Sequence, residues 1–162
     1  MKKLLFFAIL VGVGLFGYQA YSRYVAPQLH QSPSGTHSTV QIRDATYQVD
    51  VADEDSKRAQ GLSGRTSLDQ NQGMLFVFDT KAAYSFWMKD MKFPLDFIWI
   101  DGNKIADLTE NVAIPLTDTY TPSFHPNASV NKVLEINAGE IKLHGFQIGD
   151  QVSIILLKPQ SN

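Results

Sequence analysis

The sequence predicts a compact, β-rich α+β domain with a partly closed, antiparallel, barrel-like sheet and one or two short helices, preceded by an N-terminal transmembrane helix. Three observations lead to this prediction. The 162 residues suffice for about one domain. Most of the chain after Thr39 alternates apolar and polar residues in short stretches, which is typical of half-buried strands. Residues 4–22 contain no charged side chain.

The uncharged run from Leu4 to Ser22 follows Lys2 and Lys3. As a helix it would be about 28 Å long, close to the thickness of a membrane's hydrocarbon core. We favour a signal anchor over a cleaved signal peptide, because Tyr18 would stand where the best cleavage site needs a small residue. The early positive charges predict that residues 1–3 stay in the cytoplasm and that the domain is membrane-anchored outside it, in the periplasm or the extracellular space. Cleavage would instead give a secreted protein.

Residues 23–38 are rich in proline, glycine and hydroxyl side chains, without apolar periodicity. This composition predicts a flexible linker and leaves residues 39–162 as the globular domain.

Composition excludes several functions. Three of the 14 basic residues precede Thr39, so the remainder carries 11 basic and 16 acidic side chains. Nucleic acid is therefore not an expected partner, since phosphate binding needs clustered lysine and arginine. The absence of cysteine rules out disulfides, thiolate metal sites and cysteine nucleophiles. Without an HxH or HExxH pattern, neither a metal nor a cofactor is expected.

The first half of the domain predicts two strands, a helix and a buried strand. Val40 and Ile42 begin an alternation that continues to Val51 across a turn near Asp44. Asp53 resembles an N-cap for a helix over residues 54–60, which Gly61 would end. After Gly73, the run MLFVF is apolar throughout and predicts a central strand covered on both faces.

The second half predicts mainly strands. Residues 84–89 and 95–100 are two of them, and Asp-Gly-Asn at 101–103 is a hairpin signal before KIADLTENV. An irregular stretch over residues 113–129 precedes the strand VNKVLEI. A single helical turn at residues 140–144 and the apolar strand QVSIILL complete the chain.

The segment SFWMKDMKFPLDFIWID concentrates aromatic residues around two lysines and a proline. Alternation from Tyr84 places Trp87 and Lys89 together on the less apolar side. An aromatic plane beside a cation is a common binding surface for sugars and small polar molecules. In the alternative interpretation, Trp87 packs under a loop and Lys89 extends into solvent. The ligand-binding residues predicted here are Arg58, Arg65, Trp87, Lys89 and Asp96.

Two carboxylates interrupt otherwise apolar patterns. Asp96 alternates with Ile98 and Ile100, and Glu135 lies within VLEIN. A buried carboxylate needs a partner, and the basic residues closest in sequence are Arg58, Arg65 and Lys89. If Asp96 and Glu135 faced each other across a cleft, they would instead form the acid–base pair of a glycoside hydrolase.

Residues 113–129 form a long loop that carries Tyr120, Phe124 and His125 between prolines. Loops of this length in small domains often serve as lids or binding loops.

Five segments in this order resemble a family of bacterial and archaeal proteins known as domain of unknown function 192: VADEDSKRAQGLSGRTSL, GMLFVFD, SFWMKDMKFPLDFIWID followed by G-KI, VLEINAG and HGFQIGD. The resemblance covers nearly all of residues 40–157. It implies a small, single-domain, β-rich fold, commonly exported behind a signal sequence or anchor, and no established activity. The recurrent residues of the family correspond here to Arg58, Gly61, Leu62, Arg65, Gly73, Met74, Phe86, Trp87, Met88, Lys89, Pro94, Leu95, Asp96, Glu135 and Gly139. Ser63 departs from the usual methionine, and the long loop lacks the cysteines of some members.

Three functional hypotheses follow. The first is a membrane-tethered cell-envelope domain that binds a small polar or carbohydrate-like ligand. The second is a hydrolase that uses Asp96 and Glu135, although no recognised catalytic motif supports an enzyme. The third is a protein-interaction domain of an envelope complex, whose partners the sequence does not specify; an apolar patch without a concave polar pocket would favour it.

Overall fold

The computed structural model describes residues 37–115 and 122–157. The predicted transmembrane helix, all but the end of the linker, and Tyr120 lie outside the described residues. Within those two ranges, no helix has the length and apolar character needed to cross a membrane.

The described chain contains nine strands and two short helices. In chain order these are β1 (Ser38–Ile42), β2 (Ala45–Ala52), α1 (Asp55–Gln60), β3 (Gln72–Ala82), β4 (Phe86–Trp87), β5 (Leu95–Asp101), β6 (Lys104–Val112), β7 (Ser123–Phe124), β8 (Val130–Asn137), α2 (Glu140–His144) and β9 (Val152–Ile155). The predicted β-rich α+β domain with two short helices is confirmed.

Seven of the strands form one sheet in the order β6-β5-β8-β3-β2-β1-β9, and β4 pairs separately with β7. The sheet curls into a half-barrel, so that its two edge strands meet at one end. Ile105 N donates to Asp150 O at 3.0 Å, and Gly149 N donates to Ile105 O at 2.8 Å. Val152 N donates to Asn103 O at 2.9 Å. The prediction of a partly closed sheet is therefore confirmed.

The sheet is mixed rather than wholly antiparallel, which corrects one part of the prediction. Strands β2 and β3 run parallel, with Val49 opposite Gly73 and Val51 opposite Leu75. A parallel pair needs a long crossover, because the chain must return to the same end of the sheet. The segment that contains α1 supplies this crossover.

Several local predictions agree with the structure. Helix α1 ends at Gly61, whose φ is 51°. The hairpin between β5 and β6 pairs Asp101 with Lys104. The predicted strand over residues 84–89 is reduced to the two residues of β4, and β7 lies in the stretch predicted to be irregular.

Strands β3, β8 and β5 are covered on both faces. We call inner the face that carries Leu75, Ile98 and Leu134, which packs inside the half-barrel. We call outer the opposite face, which carries Phe76 and Phe97 and packs under loops and β4. Successive residues of these strands therefore enter two different clusters.

Asp96 lies on the inner face and is fully buried. Its Oδ1 accepts a hydrogen bond from Asn111 N at 2.7 Å, and its Oδ2 accepts one from Ile141 N at 2.9 Å. The carboxylate thus joins β6 to the first turn of α2. Its partners are backbone amides, not the arginine or lysine side chains that the sequence pattern pointed to.

We expect Asp96→Ala to lower the free energy of unfolding by about 3 kcal/mol, because two backbone N–H groups lose their acceptor in a buried site. Chemical denaturation measures the change. Asp79→Ala, at an exposed position on β3, is the control and should stay within about 0.5 kcal/mol of the unaltered chain. Equal stabilities of the two variants would contradict this role of Asp96.

Candidate functional site

A pocket of about 280 Å³ opens on the outer face of the sheet. Its lining comes from the end of α1 and the turn after it, from β3, from residues 84–87, and from Met91 and Glu135. The pocket therefore lies outside the half-barrel, where the crossover between β2 and β3 passes over the sheet. Aromatic side chains form much of the lining: Phe76, Phe78, Tyr84, Phe86 and Trp87.

Glu135 lies at the floor of this pocket, on the central strand β8. Its immediate cross-strand neighbours are Met74 on β3 and Phe97 on β5, both apolar. The residue is 5% exposed. Burial raises the pKa of its carboxyl from 4.5 to about 8, and no donor or cation of the described ranges offsets this effect. At neutral pH the group is mainly a carboxylic acid that can donate one hydrogen bond and accept another.

Arg58 forms part of the wall, and its contacts hold the guanidinium in place. Nη1 donates to Val77 O at 2.8 Å, and Nη2 lies 2.6 Å from Asp55 Oδ1. The guanidinium also lies 5.3 Å from the centre of the Phe78 ring. Two nitrogens and one face of the guanidinium are thus occupied by contacts within the protein.

Trp87 stands at the rim and is 59% exposed. The Nζ atom of Lys89 lies 5.8 Å from the centre of its ring, within the range of a cation–π contact. Because Trp87 and Lys89 lie together and Met88 between them is buried, the predicted alternation of this segment is present in the structure.

Hydrogen bonds connect the two sides of the rim. Ser63 Oγ donates to Lys89 O at 2.9 Å, and Gly64 N donates to Asp90 O at 3.1 Å. Ser63, which replaces the methionine usual in the resembled family, therefore acts as a polar connection between the turn after α1 and the turn after β4. On the far side, Ser85 and Ser123 are joined by their hydroxyl groups.

Gly61 lines the pocket with a positive φ of 51°, a conformation that favours glycine, whereas a Cβ atom there would make only an ordinary contact at 3.4 Å from the tip of the Phe76 ring.

The structure brings together only some of the predicted ligand-binding residues. Arg58 and Trp87 line the pocket, and Lys89 adjoins it through Trp87. Arg65 lies outside the lining and forms a 2.8 Å ion pair with Asp50. Asp96 faces the inner core, on the opposite side of the sheet from the pocket, and is not among the residues that line it.

The carboxylate pair proposed for a hydrolase is not assembled. Asp96 pairs with Ile136 and Phe97 pairs with Glu135 along neighbouring strands. The two carboxyls therefore point to opposite faces of one sheet and cannot flank the same bond.

The sequence interpretation missed the aromatic wall formed by Phe76, Phe78 and Tyr84. Phe76 and Phe78 belong to a strand that the sequence predicted to be buried on both faces. The ring of Phe78 stacks on that of Tyr84, with 3.6 Å between the ring centres, and these two residues lie on either side of a bend in the chain. Of the long loop, Phe124 packs 5.9 Å from Phe97, whereas His125 is exposed and outside the lining.

Comparison with known proteins places the chain among uncharacterised relatives. A model of the family DUF192, described as Uncharacterized ACR, matches residues 38–154. A crystal structure from Sinorhizobium meliloti, whose description suggests a transcription regulator, is 30% identical, covers 73% of this chain and 92% of its own, and has a TM-score of 0.64. A protein of unknown function from Novosphingobium aromaticivorans is 25% identical over 72% of this chain and 83% of its own, also with a TM-score of 0.64. None of the curated proteins matches the chain.

The raised pKa of Glu135 predicts a specific dependence of stability on pH. Because the folded chain holds this proton more tightly than the unfolded chain, its stabilising effect is complete below about pH 4.5 and is lost as the pH rises to about 8. The loss is at most about 1.4 kcal/mol per pH unit.

Glu135→Gln removes this titration and keeps the side-chain shape. We expect the free energy of unfolding of the variant, relative to the unaltered chain, to rise steadily from about pH 5 to about pH 8. Denaturation at a series of pH values measures the difference. A constant difference across that range would show that Glu135 titrates normally.

Proposed function

The chain belongs to the DUF192 family, and from that premise we propose that its globular domain is a binding module for a small polar or carbohydrate-like ligand. The observation that carries this proposal is the pocket on the outer face. Its walls are aromatic, and it contains one buried carboxyl, that of Glu135, which has no hydrogen-bond or ionic partner among the described residues. Apolar pockets with a few convergent polar groups are the usual form of small-molecule sites.

The size and chemistry of the lining fit a small ligand with a flat apolar face. A volume of about 280 Å³ lies near the lower end for such sites. The exposed ring of Trp87 can stack on the apolar face of a sugar ring, while Glu135 binds a polar group below it. The concave, partly polar pocket favours this function over a flat protein-interaction surface.

A catalytic function has less support. Acid–base chemistry on a glycosidic bond needs two carboxyls about 5 to 10 Å apart on the same side, and among the described residues Glu135 is the only carboxyl in the lining. The formal excess of acidic side chains after Thr39 also favours a small ligand over nucleic acid.

The domain's place in the cell is part of the proposal. The uncharged run over residues 4–22, preceded by two lysines, supports a membrane tether that leaves the domain outside the cytoplasm.

The binding function is tested by a thermal-shift screen of the purified full-length chain against monosaccharides, peptidoglycan fragments and amino acids. We expect at least one ligand class to raise the Tm in a saturable way, following RT ln(1 + [L]/Kd). Trp87→Ala should abolish the shift because it removes the stacking surface at the rim.

Leu143→Ala is the control, since Leu143 is also an exposed apolar residue, on α2 and outside the pocket lining. This variant should keep the full shift. A Tm that no ligand moves, or a shift that survives Trp87→Ala, argues against the pocket as a binding site.

The tether is tested separately by fractionation. We expect the full-length chain to remain with membranes in alkaline carbonate, and a chain lacking residues 1–22 to be released, because the apolar run is the element that crosses the bilayer. Protease is added to cells whose cytoplasmic membrane is intact and whose outer membrane, where one is present, has been permeabilised. We expect it to digest the anchored domain. A domain protected until the cytoplasmic membrane is lysed would contradict the proposed orientation.

A further inference from the structure

Glu135 is the group in the pocket for which the protein supplies no partner among the described residues. It lies on the central strand between Met74 and Phe97, and its carboxyl faces a lining that is largely aromatic. A carboxylate in such a place is unfavourable unless a positive charge accompanies it. A ligand can therefore supply the positive charge that Glu135 lacks.

Arg58 does not supply this charge. It is the only basic residue of the lining within residues 37–115 and 122–157, and its guanidinium is directed to Val77 O and to Asp55. Asp55 offsets its charge at the outside of the wall. The other titratable residue of the lining, Tyr84, donates its hydroxyl to Thr80 O at 2.7 Å.

The aromatic rings around this pocket accept cations. Two protein cations lie close to them: the guanidinium of Arg58 near Phe78 and the ammonium of Lys89 near Trp87. Ring faces attract organic cations through their quadrupole, and the attraction is larger where water is excluded. No protein cation of the described ranges lies over the ring of Phe76 or of Phe86, which are deeper in the pocket.

We propose that the ligand group that binds against Glu135 is an organic ammonium, held by the carboxylate below it and by the aromatic walls around it. This inference rests on the proposed function and specifies its ligand class. A quaternary ammonium head group and the protonated amine of an amino sugar share the required chemistry. Binding moves one proton from Glu135 to solvent, so that a carboxylate–ammonium pair replaces a neutral acid.

The test compares choline with 3,3-dimethyl-1-butanol, which has the same shape without the charge. Calorimetric titrations use the full-length chain in a polyoxyethylene detergent that contains neither sugar nor ammonium groups. At pH 8 we expect choline to bind about 10- to 100-fold more tightly than the alcohol. Because choline keeps its charge, its affinity should increase about tenfold from pH 6 to 7 and less steeply above pH 7, as Glu135 loses its proton.

Glu135→Gln should lower choline affinity at pH 8 by at least about tenfold and remove the pH dependence, leaving only the smaller preference over the alcohol that the aromatic rings provide. Glu110→Gln is the same substitution at an exposed position on β6 and should change neither. The pH series on the unaltered chain tests the inference even if Glu135→Gln does not fold. Glucosamine against glucose then distinguishes an amino sugar from a quaternary head group.

Equal affinities for choline and the alcohol, no measurable binding of choline, or a choline affinity that does not change with pH would overturn the inference. If glucose or another uncharged sugar nevertheless binds, and Trp87→Ala abolishes that binding, the proposed binding function stands. Only the inference that the ligand is an ammonium compound then fails. If no ligand of either kind binds, both fail.

Discussion

The two-sided covering of β3, β8 and β5 is the constraint on which the rest of this structure depends. The central residues of these three adjacent strands are buried on both faces, so each of those residues must fit one of two separate interiors. The inner face forms the core of the half-barrel. The outer face is covered by the crossover, by the two-stranded sheet of β4 and β7, and by aromatic side chains. The pocket exists because this cover, built from loops and short elements, is incomplete.

The same constraint gives the two buried carboxyls their different roles. Asp96 and Glu135 belong to neighbouring strands but to opposite faces. On the inner face, the ends of β6 and α2 provide two backbone donors, and Asp96 becomes a structural connection. On the outer face, Glu135 meets methionine and aromatic neighbours and retains an unused capacity for hydrogen bonds. A buried polar group of this kind is informative about function because packing alone does not account for it.

The sequence was sufficient where structure depends on nearby residues. The ends of helix α1 and of α2, at Gly61 and Gly145, and the hairpin at residues 101–104 follow from turn residues within a few residues of each element, whereas the N-cap of α1 is Glu54 and not the predicted Asp53. It was insufficient where pairing joins distant segments. The parallel pairing of β2 with β3 and the position of β8 between β3 and β5 depend on contacts across the whole chain. Alternation correctly marked Asp96 and Glu135 as carboxyls in apolar strands, but it could not assign them to faces, because both faces of these strands are apolar. Trp87 could be identified as a pocket residue because its position is exposed. Phe76 could not, because it lies on a strand that is apolar on both faces.

The pairing of β1 with β9 places the first and last described strands side by side, with Thr39 opposite Ile155 and Ile42 opposite Val152. During synthesis, β1 therefore emerges more than a hundred residues before the strand that covers its edge. Until residue 155 has left the ribosome, Val40 and Ile42 belong to a sheet that ends with an open edge, the kind of edge that recruits other chains. A chain that stops short of β9 therefore leaves the edge of β1 unpaired and able to pair with another chain.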